Sequence, residues 1–469
     1  MHYPWWYVDV ITAPMLIAAI ATIHVYVAMY AVGGGIILAY ETGRAYRNLR
    51  ENTLDYLRSH LKFFIWLTVV FGAITGVGIW WTISLASPLA TEALIHVFVF
   101  GWAMEWVFFI LEIIAAFIFY YYWGRLDAKT HTIVGWIYGV SAWISLVLIT
   151  GITSFMLSPG SFLEDGEFWS AFFNPQTIPQ ILSRTGGSLL LAGLYFFLHA
   201  AITVKDPEFL RRIERRIAKW AMFGAAFTLL GGILWFIYLP ESSKAALEGA
   251  ASLNILMGLV FVATAVVFLF FYLGSLRGKG LLSLGYAILL FIFGLIAIGS
   301  SEFIREAVRK PFIVYDYVYG HQIYKNEVDA AKQSGFLNFG VWTRPYILKN
   351  YPQLANENNM IDYEKVIDLS MKDKVKLGET LFMYHCNDCH AVKGLSGIQS
   401  ITRGWKKEHI KTTIVEMDRI HYFMPPWSGN LTEAELLTNY IQSIQLFHPI
   451  LEKEKTSLIE SPNRGGSHE

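Results

Sequence analysis

The sequence is poor in charge and nearly devoid of cysteine. Only 16% of its 469 residues are charged, against about 25% in an ordinary soluble domain. The formal net charge is zero, so overall charge indicates neither a nucleic-acid partner nor a strongly basic surface. Cys386 and Cys389 are the two cysteines, and both lie within one six-residue stretch, so a disulfide framework is excluded. The opening MHYPWWYVDV lacks a cationic stretch before its apolar run. It does not read as a cleaved leader, and its aromatic cluster reads as an anchor at a membrane surface. There is no short-period repeat, and low complexity is confined to a ragged tail after about Thr456.

Apolar residues are abundant, at 54% of the chain. Runs of 20 or more recur from about Thr12 to Arg305, each long enough to cross a bilayer core of roughly 30 Å. The pattern predicts helices near 12–41, 60–83, 92–123, 131–157, 177–203, 216–239, 250–274 and 281–308, numbered 1 to 8 below. One set of alternate connections holds 15 basic residues, from Arg44, Arg47 and Arg50 through Arg211, Arg212, Arg215 and Arg216 to Arg277 and Lys279, whereas the other set holds only Lys244. Basic loops stay on the cytoplasmic side, so the N-terminus is expected outside and eight spans return the chain outside. The fold class is therefore all-α: a polytopic transmembrane helix bundle followed by a small all-α domain. The expected divisions are 1–310 for the bundle, 311–370 for a polar, Tyr-rich connector over the outer helix ends, 371–450 for the small domain and 451–469 for a flexible tail.

The small domain carries His385-Cys386-Asn387-Asp388-Cys389-His390. Two thiols three apart can bond to the vinyl groups of a haem while the adjacent histidine reaches the iron. The other readings are a chance CxxCH or a redox thiol pair. Gly378 and Phe382 upstream, and Leu431-Thr432-Glu433 opening an amphipathic helix downstream, match the first and last helices of a class I cytochrome c. Met424-Pro425-Pro426 lies 35 residues beyond Cys389, where such domains keep the second axial ligand. The expected set is one covalent haem c held by Cys386, Cys389, His390 and Met424, with iron between His390 and Met424. His385, His409 and His421 are the other candidates for the sixth position. His385 is too close to cross the ring, and the other two read as solvated surface residues.

Charged groups inside a bilayer are costly and mark cofactors or proton paths. His24 lies about ten residues past Pro14 on helix 1, roughly 15 Å along it. Glu105 and Glu112 lie seven apart on helix 3 and hence on one face. Glu306 and Arg309 end helix 8, with Glu302 and Arg305 on the same stripe. Alone, His24 reads equally as a packed, hydrogen-bonded residue, and the helix 8 group equally as a ladder of ion pairs. His60 and His131 read as interfacial. His96 reads as a helix-end residue or a contact to a haem propionate.

Taken together, these stretches resemble subunit I of the cytochrome bd-type oxygen reductase superfamily over about residues 10–314. The resemblance rests on His24 followed by Glu41-Thr42, Phe71-Gly72-Ala73-Ile74-Thr75-Gly76 on helix 2, Ala103-Met104-Glu105 through Glu112 with Trp123-Gly124-Arg125-Leu126, and Glu306-Ala307-Val308-Arg309-Lys310-Pro311-Phe312. The seven-residue glutamate spacing is one fewer than the family's, which makes Glu105 the weaker match. The resemblance implies two haems of b or d type in the bundle with His24 and Glu306 as iron ligands. Arg309, with Arg305, would balance Glu306 or haem propionates, and Glu105 and Glu112 would deliver protons. Family members that oxidise quinol hold a third haem with a helix 5 histidine and a helix 7 methionine. Here Arg184-Thr185 stands in the histidine's place and Met257 alone could match the methionine. Only Leu239 to Ala250 joins helices 6 and 7, so the long quinol loop is missing. The chain therefore resembles a non-quinol branch of the superfamily with a fused cytochrome c.

The expected function is oxygen reduction to water in a respiratory chain. Electrons would enter from a periplasmic carrier protein through haem c, in the cytoplasmic (inner) membrane of a bacterium or archaeon. A second membrane subunit resembling subunit II is the expected partner, besides membrane lipid. Gly33-Gly34-Gly35 and Gly231-Gly232 would offer close-packing faces for it. Two alternatives stay open: a relay between a membrane partner and periplasmic cytochromes, and a haem-poor anchor for the cytochrome.

Overall fold

The computed structural model describes residues 6–8, 10–278, 280–394 and 397–445. Lys279 and the tail expected at 451–469 lie outside the described residues, as do the first five of the aromatic start. Among the described residues, eight helices are long and apolar enough to span a membrane: Ala13–Arg47, Glu51–Ala86, Val99–Tyr121, Ala128–Ser154, Thr177–Thr203, Pro207–Ile237, Ala251–Arg277 and Leu284–Ala307. They match the eight expected spans in number and order, and the strands among the described residues are Phe312–Val314 and Val318–Tyr319.

Helices 1, 2 and 6 run well past their expected basic ends. Helix 1 continues to Arg47, helix 2 begins at Glu51 and helix 6 at Pro207. Hydropathy marks only the lipid-buried part, whereas the backbone stays helical until a cap stops it. Asp206 is such a cap, accepting from the Glu208 and Phe209 amides with Pro207 at the first turn, the favoured arrangement for a helix start. Helix 2 contains a π-helical stretch, Trp66–Phe71, directly before Gly72–Ala86.

The chain divides into two compact units. One holds residues 17–84 and 90–318. Helix 5 lies at its centre, with 67% of its apolar window buried against 17% for helices 3 and 7. Gly33, Gly34 and Gly35 do not face outward. A Cβ on them would collide with the Ser188 carbonyl, the Phe64 ring and the Tyr138 ring respectively, and one on Gly231 would collide with the Ser183 backbone. These glycines let helices of the same chain approach closely, which corrects their reading as faces for a partner; Gly232 alone has nothing near it.

The other unit holds the described residues of 1–16, 85–89 and 319–469. Its core joins Phe336, Leu337, Ile347, Leu354, Ile361 and Val366 to Leu377, Leu381, Phe382, Leu437 and Tyr440. The segment before Met371 thus packs into the same core as the helices that follow it. Glu433 fastens the two. Its buried carboxylate accepts from the amides of Phe336 (2.8 Å), Leu337 (2.7 Å) and Asn430 (2.9 Å) and from the Tyr363 hydroxyl (2.5 Å).

Candidate functional site

In the cytochrome-like unit, Met371–His385 and Leu431–Ile444 are the first and last helices. They cross where Gly378 meets the Leu436 carbonyl, a contact that leaves no room for a Cβ, with Phe382 against Tyr440 at 5.4 Å. The first helix stops at Cys386, and the turn after it is closed by the Cys389 and His390 amides donating to the Cys386 carbonyl at 3.0 and 2.7 Å. No disulfide joins Cys386 to Cys389. Burial pushes the Cys386 thiol up to about 12, the opposite of the lowered value that makes a redox thiolate. A half-buried pair in one tight turn, followed directly by a histidine, fits a thioether-bound haem better than an exchange-active pair. Met424 sits in the irregular stretch before the last helix, its amide bonded to the His421 carbonyl at 2.9 Å.

The competing histidines separate cleanly. His409 and His421 are exposed, with His409 beside Trp405. His385 is buried among Phe336, Trp427 and His321 at ring distances of 4.0, 4.4 and 5.3 Å. His321, which the sequence did not single out, is fully buried and shares a 3.0 Å hydrogen bond with the Ser428 hydroxyl. Burial lowers it to about 3. A histidine depressed on folding adds stability that is complete above its unfolded value near 6.5 and is lost as pH falls through the folded one. The haem-c region of the full chain should therefore lose thermal stability progressively between about pH 6.5 and 3. His321→Gln, followed by near-ultraviolet dichroism, should flatten that slope.

In the bundle, His24 on helix 1 is half-buried and meets helix 2. Its Nδ1 lies 3.1 Å from Thr75 Oγ1, and the Thr75 hydroxyl donates to the Phe71 and Gly72 carbonyls at 2.9 and 3.1 Å. The hydroxyl proton is thus committed, so Nδ1–H donates to Thr75 and Nε2 is left as the ligand atom. That is how metal-binding histidines are usually oriented. Gly76 clears the ring, since a Cβ there would lie 3.2 Å from His24 Cε1. The Thr-Gly pair therefore shapes a histidine that fits an iron.

Glu105 and Glu112 both face helix 4. Ser145 Oγ donates to Glu105 at 2.8 Å, and the Tyr138 hydroxyl lies 3.2 Å from Glu112 Oε1 and 3.1 Å from the Ala31 carbonyl. Tyr138 has one proton for two acceptors. All three groups are satisfied together when Glu112 is protonated and donates to Tyr138, which donates to Ala31. This arrangement suits a carboxyl that carries a proton.

At the end of helix 8 the ladder of ion pairs is present: Arg305 to Glu302 at 2.9 Å and Arg309 to Glu306. Arg309 is buried and also donates to the Ile313 carbonyl at 2.8 Å. A carboxylate already neutralised by a fixed guanidinium can turn its free oxygen to a metal without leaving an unpaired buried charge, so Glu306 and Arg309 fit their expected pairing. Arg184, expected from the resemblance to stand in place of a histidine, donates to the Thr150 and Thr153 hydroxyls at 3.2 and 3.0 Å.

Two expectations fail. His60 and His131 are not interfacial but fully buried. His60 pairs with the Tyr30 hydroxyl at 2.8 Å, lies on Phe196 and meets His199 edge-on at 4.7 Å. His131 pairs with Tyr46 at 3.0 Å and the Phe119 carbonyl at 2.8 Å. His60 lies nine residues inside the observed start of helix 2, whereas His131 stays in the first turn of helix 4 and is covered by Tyr46, Phe119 and Trp123. His96 is exposed beside Glu92, as a helix-end residue would be.

Two family models match separate stretches of the chain. Residues 13–238 match the family model of cytochrome bd terminal oxidase subunit I. Residues 373–438 match that of cytochrome c oxidase, cbb3-type, subunit III. The cbb3-type cytochrome c oxidase subunit CcoP of Helicobacter pylori strain 52 is 26% identical over 138 residues, covering 26% of this chain and 47% of that protein. The same subunit from strain ATCC 700392 / 26695 is 26% identical, with 48% of it covered, so the chain spans about half the length of these curated relatives. The bd oxidase from Geobacillus thermodenitrificans has a similar fold, with a TM-score of 0.57 and 20% identity over 64% of this chain and 87% of that one.

Proposed function

Given a cytochrome bd terminal oxidase subunit I domain over residues 13–238 and a cbb3-type cytochrome c domain over 373–438, we propose that this multi-pass membrane protein is an oxygen reductase fed through its own haem c. The observation that carries the reading is the conjunction of His24, oriented by Thr75, with the Glu105/Glu112 pair facing Ser145 and Tyr138. A scaffold that only anchored a cytochrome would need neither a shaped histidine nor a protonatable pair.

The bound haems supply electron transfer and oxygen chemistry, and the chain supplies position, ligands and protons. Cys386, Cys389, His390 and Met424 would hold the covalent haem c, while His24 and Glu306 would serve as iron ligands of two further haems of b or d type in the bundle. Arg309 keeps Glu306 charged and directed. Glu112, held by the Tyr138 hydroxyl, stores a proton, and Glu105 with Ser145 supplies a second protonatable carboxyl on the same face of helix 3 seven residues away. The missing quinol loop and the Arg184 substitution support entry of electrons from a periplasmic carrier protein. The complex includes a second membrane subunit resembling subunit II, and it lies in the cytoplasmic membrane with the c domain on the outer side.

Oxygen uptake by the purified, haem-loaded complex tests this. Uptake is expected with a reduced c-type donor and not with a quinol. No uptake with either donor would leave the electron relay between a membrane partner and periplasmic cytochromes as the function. Glu112→Gln, which keeps the shape and loses the proton, should slow uptake about 100-fold, as for loss of a positioned acid–base group, with haem spectra unchanged.

A further inference from the structure

A cavity of about 830 Å³ opens at the arginine-rich ends of the bundle helices, and none of the residues assigned to haem ligation or proton transfer lines it. Its floor is apolar, made by Leu57, Phe196, Phe209, Ile213, Ile217 and Leu276. Its wall is cationic for a reason legible in helix 6: Arg212, Arg215, Arg216 and Lys219 fall at i, i+3, i+4 and i+7 and so share one face. Arg44 and Arg50 add two more cations across the opening.

Most of this charge has no counter-ion in the protein. Of the two lining carboxylates, Glu41 is consumed: it is buried and accepts from Arg216 Nε at 2.7 and 2.9 Å and from Trp220 Nε1 at 2.9 Å, with Arg44 at 3.4 Å. Glu51 is exposed and pairs with none of the six. Among the described residues no carboxylate pairs with Arg50, Arg212, Arg215 or Lys219. Four cations converge on a space large enough for a ligand, and the surface behind it is hydrocarbon-like.

We propose that this cavity binds the headgroup of an anionic phospholipid, with the phosphate on the unpaired guanidinium groups and the glycerol end against the apolar floor. The chemistry fits on three counts. Guanidinium forks match phosphate oxygens in pairs. Basic pockets between spanning helices on the cytoplasmic side favour anionic headgroups over zwitterionic ones. The apolar floor suits a ligand with a hydrocarbon side, which free phosphate lacks. Arg216 and Glu41 serve as the rigid rear wall, their charges cancelling each other, while the four remaining cations are the ligand-facing set.

The test uses the full-length, haem-loaded protein, stripped of lipid in a maltoside detergent and examined by native mass spectrometry. Phosphatidylglycerol, phosphatidylcholine and inorganic phosphate are added in turn. One variant is Arg50→Gln/Arg212→Gln/Arg215→Gln. A control, Arg125→Gln/Lys129→Gln, removes the same kind of charge from the same set of loops outside the cavity. Wild type and control should retain phosphatidylglycerol and not phosphatidylcholine, and the cavity variant should hold it at least about tenfold more weakly. The Arg212→Lys/Arg215→Lys protein, which keeps the charge and loses the forks, should hold the lipid more tightly than the glutamine variant and more weakly than wild type, which separates loss of charge from misfolding. Equal retention by all proteins, equal retention of phosphatidylcholine, or displacement of the lipid by millimolar inorganic phosphate would each overturn the proposal.

Discussion

Replacing Cys386 and Cys389 together by alanine should abolish covalent haem attachment and, with it, all oxygen uptake from a c-type donor. The expectation follows from the geometry of one turn. The first helix of the unit ends at Cys386, and the Cys389 and His390 amides fold back onto its carbonyl, so both thiols and the imidazole issue from a single tight loop. Without thioethers, the haem would be held only by axial bonds to His390 and Met424. Haem-stained denaturing gels should show no covalent haem in the double variant. Bundle haems should remain in its visible spectrum, because the two units have separate cores. Retained uptake from the c donor in a protein free of haem c would show that electrons enter elsewhere.

His24→Ala should remove one bundle haem and reduce uptake to background while leaving haem c intact. The supporting contacts make graded predictions. Thr75→Val keeps the ligand and removes the acceptor of its Nδ1–H; loss of such an orienting bond typically weakens metal binding about 10- to 100-fold. Gly76→Val puts carbon where the ring now passes, given that a Cβ alone would already stand 3.2 Å from Cε1. Haem content should therefore fall in the order wild type, Thr75→Val, His24→Ala. A His24→Ala protein with full haem content would assign the histidine to packing, the plain reading of a lone intramembrane imidazole.

Much of this was legible because membranes impose simple rules. A bilayer forces length, apolarity and loop charge to agree, so eight spans and their order could be read directly. The CxxCH turn and the Met-Pro-Pro segment are local in sequence, and so are visible without a fold. Glu105 and Glu112 could be placed on one face by period alone, but their partners could not. Ser145 and Tyr138 are also seven apart, on an antiparallel neighbour, and only tertiary packing reveals the match. Hydropathy gives out before the backbone does at the start of helix 2, which hides how far inside it His60 lies, while the burial of His131 at the start of helix 4 comes from Tyr46, Phe119 and Trp123 packing over it. His60 and Tyr56 are four apart, as are Phe196 and Ala200, with His199 three beyond Phe196. That aromatic spacing was the available signal for a packed His–aromatic cluster. The Gly33-Gly34-Gly35 run was read as an invitation to a partner; its use against Ser188, Phe64 and Tyr138 depends on which helices of the same chain lie beside it.

The central claim is that electrons reach the bundle through the fused haem c. Stopped-flow spectroscopy of the anaerobic, oxidised complex mixed with a reduced c-type donor tests it most directly. The haem c band should be reduced first and the bundle haems afterwards, with the second phase lost in the Cys386→Ala/Cys389→Ala protein. Bundle haems that are reduced before haem c, or at an unchanged rate in that variant, would contradict the account.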